Sequence, residues 1–354
     1  MKILQYGMLA GILILGAVCV TSGTRVLAFG PAATVHYKDR GMTGEQLDEL
    51  CEQQRQEKEE KASLPGQQGA GQEGKELPDI TGWYRQEEQN AENPALNIET
   101  QTDRIGVWGN MRDVLPGELL AGSYVNSLDE EGCVISSALS EKLFRSTDTT
   151  GCTLRVDGKE YVVRGIIAGS GQILLNRAKK TDLLCNLEFR YQGKEYSTSA
   201  VRDFLTRQGL TNYDSLLEGG LYAGIAGIFL GLPVLVLAAL VIRRGWKRFR
   251  HYQVRILPRN QTVSFLCQLA GILSIGCLLA LWFWIFVRFP ADYVPAGVSD
   301  FEFWIVKFHE LSVDRQKLLN YQGWYQEAYL LGSLKQCMFG SLGSSLLLYL
   351  TARR

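Results

Sequence analysis

Histidine is scarce in this chain: His36, His251 and His309 are the three in 354 residues. They lie far apart, which argues against a histidine-based metal site or catalytic triad. Phosphate-handling signatures are missing too. No Gly-x-x-x-x-Gly-Lys-Ser/Thr run occurs, so the chain is not expected to hydrolyse ATP itself. The "GSGQ" at 169–172 lacks the strand and helix context of a dinucleotide loop. No Gly-x-Ser-x-Gly elbow is present, and the residue three before Lys142 is Leu139, which removes a Ser-x-x-Lys pair. The eight cysteines include no Cys-x-x-Cys spacing. No catalytic residue, cofactor or metal ligand is therefore expected, and the many carboxylates read as solvated surface.

Charge is balanced overall, with 37 basic and 37 acidic residues, but one sign is missing locally. Residues 38–218 hold 31 acids against 21 bases, while other stretches of twenty residues or more hold no charge. Four segments approach the roughly 20 apolar residues that crossing a bilayer requires. They are expected within 3–29, 219–242, 263–287 and 328–350. The first is a transmembrane helix, or a signal segment if "VLA" at 26–28 is a cleavage site. The fourth is the most polar, because it contains Lys335 and Gln336; Lys335 either snorkels to an interface or faces the bundle.

The run "IRRGWKRFRHYQVR" at 242–255 has six Lys or Arg and no acid. A basic run with interleaved aromatics is one signature of nucleic-acid binding. Its placement favours a membrane instead. With the N-terminus inside and four spans, the inside segments are 1–2, the loop 243–262 and 351–354. These carry Lys2, Arg243, Arg244, Lys247, Arg248, Arg250, Arg255, Arg259, Arg353 and Arg354, and no acid. That is the positive-inside pattern. Both termini are thus expected in the cytoplasm of a multi-pass cell-membrane protein, with 30–217 and 288–327 outside and no nucleic-acid partner.

The outside domain reads as α+β. "ATVHYKDR" alternates like a strand, and Thr43 is placed to cap a helix over "GEQLDELCEQQRQEKEEKA". Residues 63–79 are Gly/Gln/Pro-rich and expected to be a disordered linker. "ITGWYRQEEQ", "ALNIETQT" and "RIGVWGN" are strand candidates. "CVISSALSEKLF" is a strand entering a helix capped by Ser136 or Ser137. Asp157-Gly158 supplies the turn of a hairpin over 152–169. "LLCNLEFRYQGKEYSTSAVRDFLTRQG" reads as strand, turn and helix. In 289–327, Asp300 is placed to cap an amphipathic helix with Phe301, Trp304, Val306 and Phe308. That helix lies on the membrane surface or packs on the domain. Cys133 and Cys152 both open strand-like runs, so they form a disulfide or remain buried thiols. In the second span Gly220, Gly224, Gly227 and Gly231 recur at spacings that let helices approach closely. No span carries an acid, which argues against a proton or cation pathway.

Residues 113–169, "DVLPGELLAGSYVNSLDEEGCVISSALSEKLFRSTDTTGCTLRVDGKEYVVRGIIAG", resemble the extracytoplasmic core domain of MacB-type, FtsX-like ABC transporter permeases. The likeness rests on "PGELLAG", "CVIS" followed by "ALSEKLF", "TTG" and the "VDGKEYVVRGI" hairpin, and on the layout of one span, a large domain and three more spans. It implies an α+β extracytoplasmic domain inserted after the first of four transmembrane helices. It also implies a cytoplasmic ABC ATPase subunit as partner, a second permease chain in a homo- or heterodimer, and surrounding lipid. The function implied is mechanotransmission from the ATPase to the outside domain, with the ATPase met by Arg243, Arg244, Trp246, Lys247, Arg248 and Arg250. This basic loop lacks the Arg…Glu-Ile-Gly element and the Gly-Ala pair usual in the family. The alternative is an accessory or sensor protein that binds an extracellular ligand or partner without ATPase coupling.

Overall fold

A computed structural model describes residues 2–38, 40–63, 78–115, 117–191, 198–256, 261–288, 290, 293, 301–320 and 325–353. Most of the 63–79 linker and the Asp300 cap lie outside the described residues.

The chain begins with helix α1 (Lys2–Ala28), strands β1 (Ala32–His36) and β2 (Met42–Thr43), helix α2 (Gly44–Ser63) and the long hairpin β3 (Asp79–Asn93) and β4 (Ile98–Trp108). A 3-10 turn (Met111–Asp113) precedes β5 (Leu119–Gly122), β6 (Gly132–Ser136), α3 (Ser137–Phe144), β7 (Thr153–Val156), β8 (Lys159–Ile167) and β9 (Ile173–Arg177). Then come β10 (Leu183–Leu184), β11 (Asn186–Arg190), α4 (Thr198–Arg207) and β12 (Ser215–Glu218). Four helices complete the chain: α5 (Gly219–Ile256), α6 (Gln261–Phe286), α7 (Phe301–Asn320) and α8 (Tyr325–Arg353).

The local signals act as chemistry dictates. At the start of α2, the Gln46 amide donates to Thr43 Oγ1 at 3.3 Å and the Thr43 amide donates to Gln46 Oε1 at 3.0 Å. This reciprocal capping box satisfies two donors that a bare helix end leaves open. Ser136 caps α3, accepting from the Leu139 amide. Asp157 and Gly158 both have positive φ, 48° and 81°, the geometry of a tight two-residue hairpin turn. The segments "ALNIETQT" and "RIGVWGN" fuse into the single strand β4, because the partner strand β3 is long enough to pair with both.

The domain is built on a mixed sheet of order β12-β1-β11-β3-β4-β9-β6-β8-β5, with β7 bridging β3 and β8. Several hydrophobic cores form on it. One packs Val35, Leu187 and Phe189 against Val201, Phe204 and Leu205 of α4. Another packs Ile135, Leu154, Tyr161 and Val163 around Leu139 and Leu143 of α3.

The Cys133–Cys152 pairing is not formed; both thiols are free, Cys133 buried and Cys152 exposed. The reason is topological. Cys133 pairs with Val163 on one side of β8, and the Val163 amide donates to the Cys152 carbonyl on the other. A whole strand lies between them, so their Cα atoms are about 9–10 Å apart at ordinary strand spacing. A disulfide requires less than about 7 Å.

Three helices contain runs long and apolar enough to cross a membrane: Tyr6–Ala28, Gly219–His251 and Gln268–Phe286. The fourth expected span, in α8, is long enough but more polar. Its buried residues include Ser333, Ser341, Ser344 and Ser345, which face neighbouring helices, while Lys335 is exposed and points away from the bundle. The expected loop 243–262 is mostly helix, since α5 runs on without a break to Ile256. Gly245 alone does not stop it, and Arg and Lys sustain a helix well.

Packing of α1, α5 and α8 is close. A Cβ at Gly340 of α8 would come within 2.8 Å of the Leu15 carbonyl oxygen and 3.0 Å of the Cys19 nitrogen of α1. Gly227 and Gly231 of α5 are buried and make room for Phe286 and Trp282 of α6. Gly220 and Gly224 are buried further toward the domain. Pro233 within α5 removes the amide that would bond the Phe229 carbonyl. That carbonyl instead accepts from Ser341 Oγ of α8 at 2.5 Å. Apolar surroundings make such a substitute partner necessary.

Candidate coupling site between the domain and its helices

Alternation along β1 puts Thr34 and His36 on one face of the sheet, and Ala33 and Val35 on the other. The register with β11 aligns Thr34 with Glu188 and His36 with Asn186. The register of β11 with β3 adds Thr81 and Trp83 to the same face. A polar sheet face normally looks into water. This one is covered by the first turn of α8 and by the segment after β4, so Thr34, His36, Asn186, Glu188, Gln326 and Glu327 are all at most 4% exposed.

Burial of so many polar groups demands partners, and the site supplies them. Thr34 Oγ1 donates to Glu188 Oε2 at 2.7 Å, and Trp83 Nε1 donates to Glu188 Oε1 at 3.3 Å. With its amide turned to donate, Gln326 of α8 reaches the Val114 carbonyl at 3.0 Å and Glu188 Oε1 at 3.3 Å. His36 Nδ1 meets Asn186 Oδ1 at 2.6 Å, and His36 Nε2 meets the Glu327 carboxylate. Both ring nitrogens thus face side-chain oxygens, which fixes the plane of the ring between β11 and α8. Glu327 also stands in the first turn of α8, where the helix dipole favours negative charge. Beside them Arg190 pairs with Asp113 at 2.6 Å.

The electrostatics follow from burial. Desolvation pushes the Glu188 carboxyl well above its ordinary value, opposed by its bonds from Thr34 and Trp83 and reinforced by the nearby Glu327 and Asp113. Asp113 is raised for the same first reason, with Arg190 pulling it back. A raised carboxyl favours the folded state fully only below its ordinary value near 4.5, and that contribution is lost as pH rises through the raised value. Denaturation of the full chain at stepped pH should show this loss from about 4.5 upward, whereas Glu188→Gln should be flatter over the same range. An unchanged pH profile in Glu188→Gln would contradict the assignment.

Two further contacts join the domain to the helices. Glu218 ends β12 and Gly219 begins α5 without a linker; a cluster of Val26, Leu217, Ala226, Leu330 and Leu334 joins α1, β12, α5 and α8 there. Arg202 of α4 pairs with Glu218 at 3.2 Å and with Glu310 and Asp314 of α7, both at 3.4 Å. Tyr293 donates to Glu218, and Lys307 of α7 sits over the Tyr293 ring at 4.9 Å. Helix α7 thus packs on the domain, and still leaves Phe301, Ile305 and Phe308 exposed along one side.

The cationic residues expected to meet an ATPase all lie on the last part of α5. Arg243, Lys247 and Arg250 share a side with Trp246, whose ring packs toward Gly271 of α6. Arg244 and Arg248 fall about a third of a turn or more away, facing off that side. None of these residues approaches the polar cluster described above. That cluster was not evident from composition: His36 and Glu327 are 291 residues apart. The available signal was the alternation of Thr34 and His36 with apolar neighbours and the acid heading an apolar helix in "YQEAYLLG". Among the described residues, no group of three His, Cys, Asp or Glu side chains is placed to hold a metal ion.

No family model and no curated protein sequence matches the chain. Among solved structures, similarity is found to the periplasmic region of MacB from Actinobacillus actinomycetemcomitans, with a TM-score of 0.38, 9% identity, and coverage of 53% of this chain and 89% of that one. The extracellular domain of the noncanonic ABC-type transporter YknZ from Gram-positive bacteria gives a TM-score of 0.36, 13% identity and coverage of 50% and 95%. A domain of a putative permease protein from Porphyromonas gingivalis gives 0.32, 15%, and 50% and 77%. None of these three reaches a TM-score of 0.5, so the functional reading rests on this chain's own residues.

Proposed function

We propose that this chain is a permease-like membrane subunit of an ABC transporter complex that transmits movement of its helices to an extracytoplasmic domain. In this reading α1, α5, α6 and α8 cross the membrane, both termini are cytoplasmic, and residues 30–217 lie outside. A separate cytoplasmic ATPase supplies the movement, and a second permease chain pairs with this one. The observation that carries the reading is the buried His36–Glu327 contact, which fixes the head of α8 to the first strand of the domain. With α1 leading into β1 and β12 running directly into α5, three helices meet one sheet without flexible joints among them. A displacement of one helix against another must then strain or tilt the sheet. The resemblance of residues 113–169 and the one-sided charge of the inner segments support the same reading.

Purification of the tagged full chain from its native membranes in mild detergent should recover an ATP-binding-cassette subunit. Arg244→Gln with Arg248→Gln should lower that recovery about tenfold, the equivalent of about 1.4 kcal/mol. Unaltered recovery would remove the basic end of α5 from the contact. One observation favours a second reading: residues 243–262 contain no acid to pair with a partner's cations. An accessory or sensor protein needs no such contact. Full biological activity without any recovered ATPase would establish it in place of the first.

A further inference from the structure

Between Glu218 and Asp292 the sequence contains no acidic residue. Within that stretch α5 and α6 flank a groove of about 840 Å³. Its walls are apolar, including Val234, Ala238 and Ala239 of α5 and Ile275, Leu279 and Ile285 of α6. Trp282 and Phe286 lie at one end, where Trp282 Nε1 donates to the Gly231 carbonyl at 2.9 Å. At the other end stand Trp246, Arg243, Lys247 and Arg250. The apolar lining on α5 from Val234 to Ile242 is about 12 Å long at 1.5 Å per residue. One leaflet of a bilayer core is about 15 Å deep.

The groove therefore has the two-part chemistry of an amphiphile: an apolar slot one leaflet deep, and three cations at its mouth beside an interfacial tryptophan. Cations near a membrane are ordinary, but these three converge on the lining while Arg244 and Arg248 do not. No carboxylate exists on α5 or α6 to neutralise them. A helix from a second copy would fill the slot poorly. The inner ends of its α1, α5 and α8 are also basic, carrying Lys2, Arg243 and Arg353, and would repel. A volume within the roughly 300–1,000 Å³ typical of small-molecule sites suits a lipid better.

We propose that the α5–α6 groove binds one anionic phospholipid of the inner leaflet, with acyl chain along Ala238, Ala239 and Leu279 and phosphate at Arg243, Lys247 and Arg250. Arginine and lysine both bind phosphate, the former through a bidentate fork. The proposal rests on the inner placement of the α5 end given above, and not on ATPase coupling.

The test is native mass spectrometry of the purified full chain, without any partner, after exposure to equal phosphatidylglycerol and phosphatidylcholine in detergent. Phosphatidylglycerol should be retained preferentially, with retention falling about fivefold for each of Arg243→Gln, Lys247→Gln and Arg250→Gln. Arg250→Lys should keep most of it. Ala239→Trp, which fills the slot and leaves charge untouched, should also abolish retention, with circular dichroism and gel filtration confirming the fold. Equal retention of the two lipids by the natural chain overturns the proposal whatever the variants do. So does retention that depends on the cations but survives Ala239→Trp, which would place the lipid on the surface. A lipid-free dimer that Ala239→Trp converts to monomer would assign the groove to a second copy. Because no ATPase is present, failure here leaves the proposed coupling standing, and failure to recover an ATPase leaves the lipid ratio unchanged.

Discussion

Glu327→Ala should free the head of α8 from the domain and cost about 1–3 kcal/mol, because it removes the buried partner of His36 Nε2. The Thr34–Glu188 and Trp83–Glu188 bonds would persist, so the domain itself should stay folded while its junction opens. Thermal unfolding should then split, an early phase reporting the opened junction and a later one, followed by tryptophan fluorescence, the loss of the core around Trp83. The double replacement His36→Leu with Glu327→Leu separates the polar contact from packing. Removing both members of a buried pair is often neutral or stabilising where removing one is not. Recovery of most of the loss in the double variant is the expected result. A silent Glu327→Ala, or a double variant no better than the single ones, would show that the contact does not hold the junction.

Gly219→Ala sets two effects against each other. Alanine at a helical position is favoured over glycine by up to about 1 kcal/mol. Here the added methyl would overlap the Phe29 carbonyl oxygen and lie 2.6 Å from that of Ala32. Both obstacles are backbone, and the Phe29 oxygen already accepts from the Ala32 amide at 2.9 Å in the turn that ends α1. Neither can rotate aside as a side chain would. Overpacking of this kind costs about 1–3 kcal/mol or more, so the steric term wins. For a chain of this size that corresponds to a fall in melting temperature of roughly 2–4 °C per kcal/mol. A melting temperature that rises in Gly219→Ala would mean that the start of α5 is not in contact with the turn between α1 and β1.

Elements governed by neighbours in sequence were legible before the fold was known. The Thr43 capping box, the Ser136 cap and the Asp157-Gly158 turn each depend on residues within three positions of one another. Placement of the long apolar helices followed from composition alone. What was hidden depended on pairing across the sheet. Cys133 and Cys152 look like partners because both open strands, and only the insertion of β8 between them separates the thiols. The polar cluster was hidden for the same reason, since no local pattern marks Glu188 or Glu327 as buried rather than solvated. The continuation of α5 through the basic run was not marked by its charge, which reports topology and not backbone conformation, although lysine and arginine are good helix formers.

Pro233 gives α5 a property that its length conceals. The Phe229 carbonyl accepts a hydrogen from Ser341 on another helix, with Cys19 of α1 nearby at 3.9 Å. A helix whose backbone closes on itself has a bend fixed by its own sequence. A helix that borrows a donor from its neighbour has a bend that the neighbour can set. Sliding α8 along its axis would carry Ser341 with it and change the angle between the two halves of α5. One half is continuous with β12 and the other ends in Arg243 to Arg250. The same α8 holds the sheet through Glu327, so the serine and the glutamate on one helix tie the domain and the basic end of α5 to a common axis.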